Sequence, residues 1–209
     1  MTLPADKLIT INDRGARSAT AFGSLEASGG NMVFIKKLTA SSSGTLDFVD
    51  GASSVVLDST YKEYMFTFNN MHPSSASDFK FQGNAAGGAD FNETMVSTYF
   101  HSQHNHAGTF TRLDYRTAHD NAGTGFTMFT EGGTAEDERS LSGYLHLFNP
   151  SSTTFVKNFT AVTSNAQSDD YCTTVHISGY FNTTSAIDEI RFQESTGNFD
   201  GDICLYGIA

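Results

Sequence analysis

From residue 31 to the end, apolar and polar residues alternate in short runs broken by turn formers. The strongest run, Tyr64-Met65-Phe66-Thr67-Phe68, sets Tyr64, Phe66 and Phe68 on one face, which is the two-residue period of a strand. The same period marks Thr45–Val49 and Asp78–Gln82, and Met32–Leu38 begins apolar and ends polar. Strands are also expected over Lys62–Asn69, Glu93–Phe100, Phe110–Tyr115, Gly125–Thr130 and Ser142–Phe148. Thr154–Thr163, Cys172–Phe181, Ala186–Gln193 and Ile203–Ile208 complete the set. No helical stripe is sustained, so crossover helices for a parallel sheet are missing. About a dozen short strands with a turn every ten or so residues predict an all-β chain, an antiparallel sandwich of jelly-roll type.

Three aromatic strands run into turns of one chemistry. Tyr64 to Ser75, Tyr144 to Ser152 and Tyr180 to Ser185 each run into Asn with Ser, Thr or Pro, whose side chains bond or restrict their own backbone. They read as three hairpins. Residues 1–30 differ: Gly15, Gly23, Gly29 and Gly30 weaken any helix, and the only strand-like run is Leu8-Ile9-Thr10-Ile11. The expected organisation is an irregular N-terminal arm over 1–30 and a β-sandwich domain over 31–209.

Composition narrows the function classes. The 209 residues include 18 Phe and 8 Tyr but no Trp, and 19 Gly against 3 Pro, as suits strands and turns. With 23 acidic and 12 basic residues the net charge is −11, which argues against a phosphate-tracking groove and so against nucleic acid as partner. No apolar run approaches the roughly 18 residues of a membrane span, and Met1 to Lys7 lacks the basic and apolar regions of a secretory signal.

Candidate chemistry is sparse. His101-Ser102-Gln103-His104-Asn105-His106 is the densest set of potential ligands. On a strand His104 and His106 share a face, and around a threefold axis that pair would complete an octahedral set of nitrogens for a transition metal. The competing reading is a polar loop after Phe100. The other histidines are dispersed and read as hydrogen-bonded loop or strand residues. Asn198-Phe199-Asp200-Gly201-Asp202 has alternate oxygen ligands but lacks the closing Glu of a calcium loop, and Asp200-Gly201 reads as a hairpin turn into the last strand. No nucleophile elbow, phosphate loop or cofactor fingerprint occurs, so neither an enzyme nor a cofactor is expected. Tyr99, Tyr115 and Tyr171 are the candidates for stacking on a sugar, as exposed rings of a lectin-like module. Cys172 and Cys204 are expected as free, buried thiols, with a single bridge between them as the alternative.

Several blocks carry a resemblance. Ser140 to Lys157 (SLSGYLHLFNPSSTTFVK), Ser178 to Ile187 (SGYFNTTSAI), the ending Leu205-Tyr206-Gly207-Ile208, Ser59 to Tyr64 and Asn70-Met71-His72-Pro73 together resemble small virion structural proteins of marine tailed phages, those of cyanophages and pelagiphages among them. The likeness spans roughly residues 31–209. It implies a non-enzymatic structural protein of the virion exterior, a tail or fibre component or a capsid decoration. It also implies a homotrimer, a form in which phage fibres use His-x-His pairs for metal. Residues 1–30 would then attach the module to capsid or tail proteins. A lectin-like module binding host surface glycans is the second expectation, and a hydrolase of envelope polysaccharide the third.

Overall fold

A computed structural model describes residues 31–209; the expected arm and its Leu8–Ile11 strand lie outside the described residues. The strands are β1 (Met32–Ser43), β2 (Thr45–Val49), β3 (Glu63–Pro73), β4 (Phe79–Ala85), β5 (Met95–Asn105), β6 (Thr111–Tyr115) and β7 (Ala122–Gly123). They continue as β8 (Thr127–Met128), β9 (Leu141–Phe148), β10 (Lys157–Gln167), β11 (Tyr171–Phe181), β12 (Ile187–Glu194) and β13 (Phe199–Ile208). Two antiparallel sheets pack as a sandwich. The larger runs β1-β13-β3-β9-β10-β11-β5-β6, with β7 also on β5, and the smaller runs β2-β12-β4-β8.

The core between the sheets is built of phenylalanine rings. Phe192 of the smaller sheet is the hub: its ring centre lies 5.3 Å from those of Phe66 and Phe68 on β3, 6.1 Å from Phe48, 6.0 Å from Phe79 and 6.2 Å from Phe129. Several pairs are edge-on or tilted, the arrangements the ring quadrupole favours. Phe81 extends the cluster to Phe159 on β10 and Phe181 on β11. Tyr64, Phe66 and Phe68 all face inward, as their spacing requires.

The turns behave differently from the expectation. Of the three expected hairpins, only the β9–β10 connection, through Asn149 and Pro150, is one. The connections β3 to β4 and β11 to β12 pass between the sheets, so the aromatic-strand-plus-Asn device makes a crossover twice. Asn and Ser satisfy a turning backbone equally well in either setting. Asp200-Gly201 is not a hairpin turn either: it lies inside β13, and the preceding turn falls at residues 195–198.

What Gly201 serves is a bulge. The register of β13 shifts between Asp200 and Asp202, that of β3 between Phe68 and Met71, and that of β1 between Ala40 and Ser43. These three neighbouring strands are irregular at one level. Gly201 has φ +135°, and a Cβ there would come 2.8 Å from the Asn70 carbonyl oxygen, so only glycine fits.

Both cysteines are free and neither is buried. Cys172 is exposed on β11 and Cys204 half-buried on β13, each on the outer side of the larger sheet. Inward neighbours Ile203 and Leu205 leave Cys204 the outward position. Four strand intervals separate β11 from β13, about 19 Å at sheet spacing, which excludes a bridge within one chain.

Candidate functional site

The polar segment after Phe100 is strand, not loop: β5 continues to Asn105. Its alternation sends Met95, Ser97, Tyr99 and His101 inward and Val96, Phe100, Ser102 and His104 outward. Tyr99 is therefore fully buried and cannot stack on a sugar; it shares its parity with Met95. Tyr115 is exposed on β6, opposite Phe100, with its hydroxyl donating to Asp120. Tyr171 is half-buried at the other end of this sheet region, edge-on to Phe110 at 5.3 Å. The three tyrosines form no common platform.

His104 and His106 are both exposed. His104 faces Cys172 across the β5–β11 ladder, and His106 lies in the turn beyond the strand. A shallow hollow of about 390 Å³ brings His106 and Tyr171 together with Arg139, Asn165, Asp170 and Cys172. Arg139 is already committed, with Nη2 2.9 Å from Asp170 and Nε 2.5 Å from Glu136. Among the described residues, no three His, Cys, Asp or Glu side chains converge as a metal would require.

The densest chemistry lies on the inner side of β5 and β6, around His101. This imidazole is fully buried, with Nε2 2.6 Å from Asp114 Oδ1 and Nδ1 3.4 Å from Glu131 Oε2. Arg112 pairs with Asp114 at 2.6 Å, Arg116 bonds Glu131, and His119 Nε2 lies 3.4 Å from Glu131 Oε1. The Tyr99 ring closes the group, 5.1 Å from that of His119. The geometry of these contacts is imperfect: both His101 nitrogens, the Tyr99 hydroxyl, Asp114 Oδ1 and Glu131 Oε2 lack an in-line partner. Burial pulls His101 below the ordinary imidazole range, against the opposing pull of Asp114 and Glu131. Burial would raise the Asp114 carboxyl, but the bonds from Arg112 and the nearby His101 outweigh it and hold it low. The Tyr99 hydroxyl is pushed up by burial and by Glu131.

His119 and Glu131 reach the surface in a second hollow, about 420 Å³, beside Ser77, Asp78 and Ser195. The two serine hydroxyls lie 3.0 Å apart, and no imidazole bonds either of them among the described residues. Glu194 packs behind them, and burial pushes its carboxyl up to about 7. Here are carboxylates and imidazoles whose partners are one another. Apart from His101, which opens the histidine-rich run, the sequence singled out none of them, because Glu131 and His101 meet only through a loop that returns under β5.

The outer side of the same strands has the opposite character. From β6 across β5, β11 and β10 to β9, no outward-facing position carries Asp, Glu, Lys or Arg. A lateral row across the five strands reads Tyr115, Phe100, His176, Val162, Tyr144. Leu113 beside it is 76% exposed and Phe100 40% exposed. The first outward charges appear on β3 and β13, where Glu63 pairs with His146 and Asp202 with Lys37. The smaller sheet's outer side contrasts with this: Arg191 bonds Asp47 through Nε and Nη2 at 2.8 and 2.6 Å and stacks 4.0 Å over Phe91.

No family model, curated protein or solved structure matches this chain.

Proposed function

We propose that this chain is a non-enzymatic structural protein of a tailed-phage virion exterior, a tail or fibre component or a capsid decoration, assembled as a symmetric oligomer and attached through residues 1–30. The observation that carries this reading is the uncharged, aromatic outer face of five neighbouring strands, in a chain whose net charge is −11. Charge-depleted surfaces rich in Tyr and Phe suit assembly better than solvation. The ionisable residues around His101 are spent on one another, which favours a structural part over a catalytic one. Strand order supports the jelly-roll reading: β1-β13-β3-β9 faces β2-β12-β4-β8, and the hairpins β5–β6 and β10–β11 extend the larger sheet. The blocks that resemble marine phage virion proteins point the same way.

Removing residues 1–30 tests the reading. The truncated protein is expected to keep its β-rich circular dichroism and to fail to join phage particles; incorporation at normal copy number overturns the attachment role.

A lectin-like role is the second reading, favoured by the hollow that joins His106 and Tyr171 to Arg139, Asn165 and Asp170. Binding on a glycan array that disappears with Tyr171→Ala would establish it. Absence of binding by the wild-type oligomer would remove it.

A further inference from the structure

We infer that the outer face from β6 across β5, β11 and β10 to β9 is the surface through which copies of this chain associate, an inference that rests on the assembly reading above. Its first support is electrostatic. Identical copies with 23 acidic and 12 basic residues repel wherever their acidic surfaces meet. On these five strands no such charge faces out, so two copies meet there without local repulsion.

The second support is size. The five strands hold 46 residues; at ~3.4 Å rise and ~4.8 Å spacing they make a face on the order of 800 Å². That equals the roughly 800 Å² that each partner contributes to a standard stable interface. The charged pairs Glu63–His146 and Lys37–Asp202 begin where the face ends, as a polar rim surrounds an apolar interface centre.

The third support is the apolar patch on the outward side of β5 and β6 where the two strands pair. Asp114 and His101 point inward, while Leu113, Phe100 and Tyr115 point outward. Met95 and Tyr99 of β5 are already covered by the core, whereas Leu113, Phe100 and Tyr115 are apolar side chains left uncovered on the outward side, where a second copy would cover them. A sugar is a poorer occupant: Phe100 lies 5.0 Å from His176 with the rings 6° from parallel, so one ring face is already used.

Sedimentation velocity on the full chain over a range of concentrations tests this. Wild type is expected to sediment as an oligomer that tightens when salt rises from about 0.05 to about 0.5 M, because salt screens the repulsion between copies. Phe100→Glu places a charge in the aromatic row of the face, against its own copy or a neighbouring one, and should weaken association by about a hundredfold or more. Thr160→Glu does the same at an exposed polar position on β10, so loss of packing is not at issue. Thr45→Lys, exposed on β2 of the smaller sheet, should leave the oligomer unchanged.

A monomeric wild type overturns the inference, and so do face variants that keep the wild-type mass. A monomer that binds glycans through Phe100 overturns it in favour of a carbohydrate surface. Particle incorporation after deletion of residues 1–30 reads the virion role separately. If that role survives while Phe100→Glu leaves the mass unchanged, this interface is wrong and the assembly reading stands.

Discussion

The centre of the larger sheet and its β5–β6 margin obey the same alternation with opposite outcomes. On β3, Tyr64, Phe66 and Phe68 point inward, the two phenylalanines against the Phe192 hub, while Met65, Thr67 and Asn69 face out. On β5 and β6 the residues pointing inward include His101 and Asp114, and the outward ones are Phe100, Leu113 and Tyr115. The cause is what lies opposite. Rings of the smaller sheet meet β3, whereas Arg116, His119 and Glu131 of the following loop meet the inner side of β5 and β6. A pleated strand thus fixes which residues share a face, and its neighbours decide which face is the interior.

The largest break in this comparison comes from the centre. Phe192→Ala removes the ring that touches both layers and should lower stability by about 3–5 kcal/mol, read as a fall in the urea midpoint. Loss of less than about 1 kcal/mol would mean the hub is replaceable.

At the end of the same core, Glu194 gives a pH signature. Its folded-state carboxyl titrates at about 7, above the ordinary value of 4.5, so its contribution is fully present below pH 4.5 and is lost as pH rises through 7. Glu194→Gln should therefore be more stable than wild type at pH 8, by at most about 3 kcal/mol, and equal to it near pH 4. An unchanged difference at both pH values would show that the carboxyl titrates normally.

The margin has the opposite sign. His101 is depressed, so its contribution is present above pH 6.5 and is lost as pH falls below it. His101→Ala should cost about 1–2 kcal/mol at pH 8 and flatten the acid limb of the stability curve. A variant that keeps the wild-type acid limb would place the titration elsewhere.

The smallest effect sharpens the contrast most. Leu113→Ser, at an outward residue of β6, should change the denaturation midpoint of the dilute protein by less than about 0.5 kcal/mol. A larger loss would make Leu113 part of the core despite its exposure.

Much of the fold was legible as period. The twelve expected strand segments each meet a strand, and the segment over Thr45–Val49 coincides with β2. The two-residue β7 gave no period to detect, and the last residues of β5 were hidden because polar side chains occupy both of its faces there. The confusion of hairpin with crossover after Pro73 and at Asn182 has a physical root: a turn is chosen by backbone chemistry, its destination by the far sheet. The candidate site was less legible. Tyr99 could have been placed inside from its parity with Met95, but the meeting of His101 with Glu131 leaves no trace in local spacing. His104 and Cys172 are likewise neighbours only because β11 pairs with β5.

The aligned irregularities of β1, β13 and β3 bear on how the chain avoids wrong pairings. In an alternating sheet a slip of one residue turns every side chain to the wrong face and is rejected at once, but a slip of two preserves the alternation. The Phe- and Thr-rich strands here would tolerate such a slip on hydrophobic grounds alone. It would carry Gly201 away from the Asn70 carbonyl and bring a residue with a Cβ into a place that has no room for one. Three bulges at one level therefore act as a keyway: they admit a single alignment of the strands, where alternation by itself would admit a ladder of them.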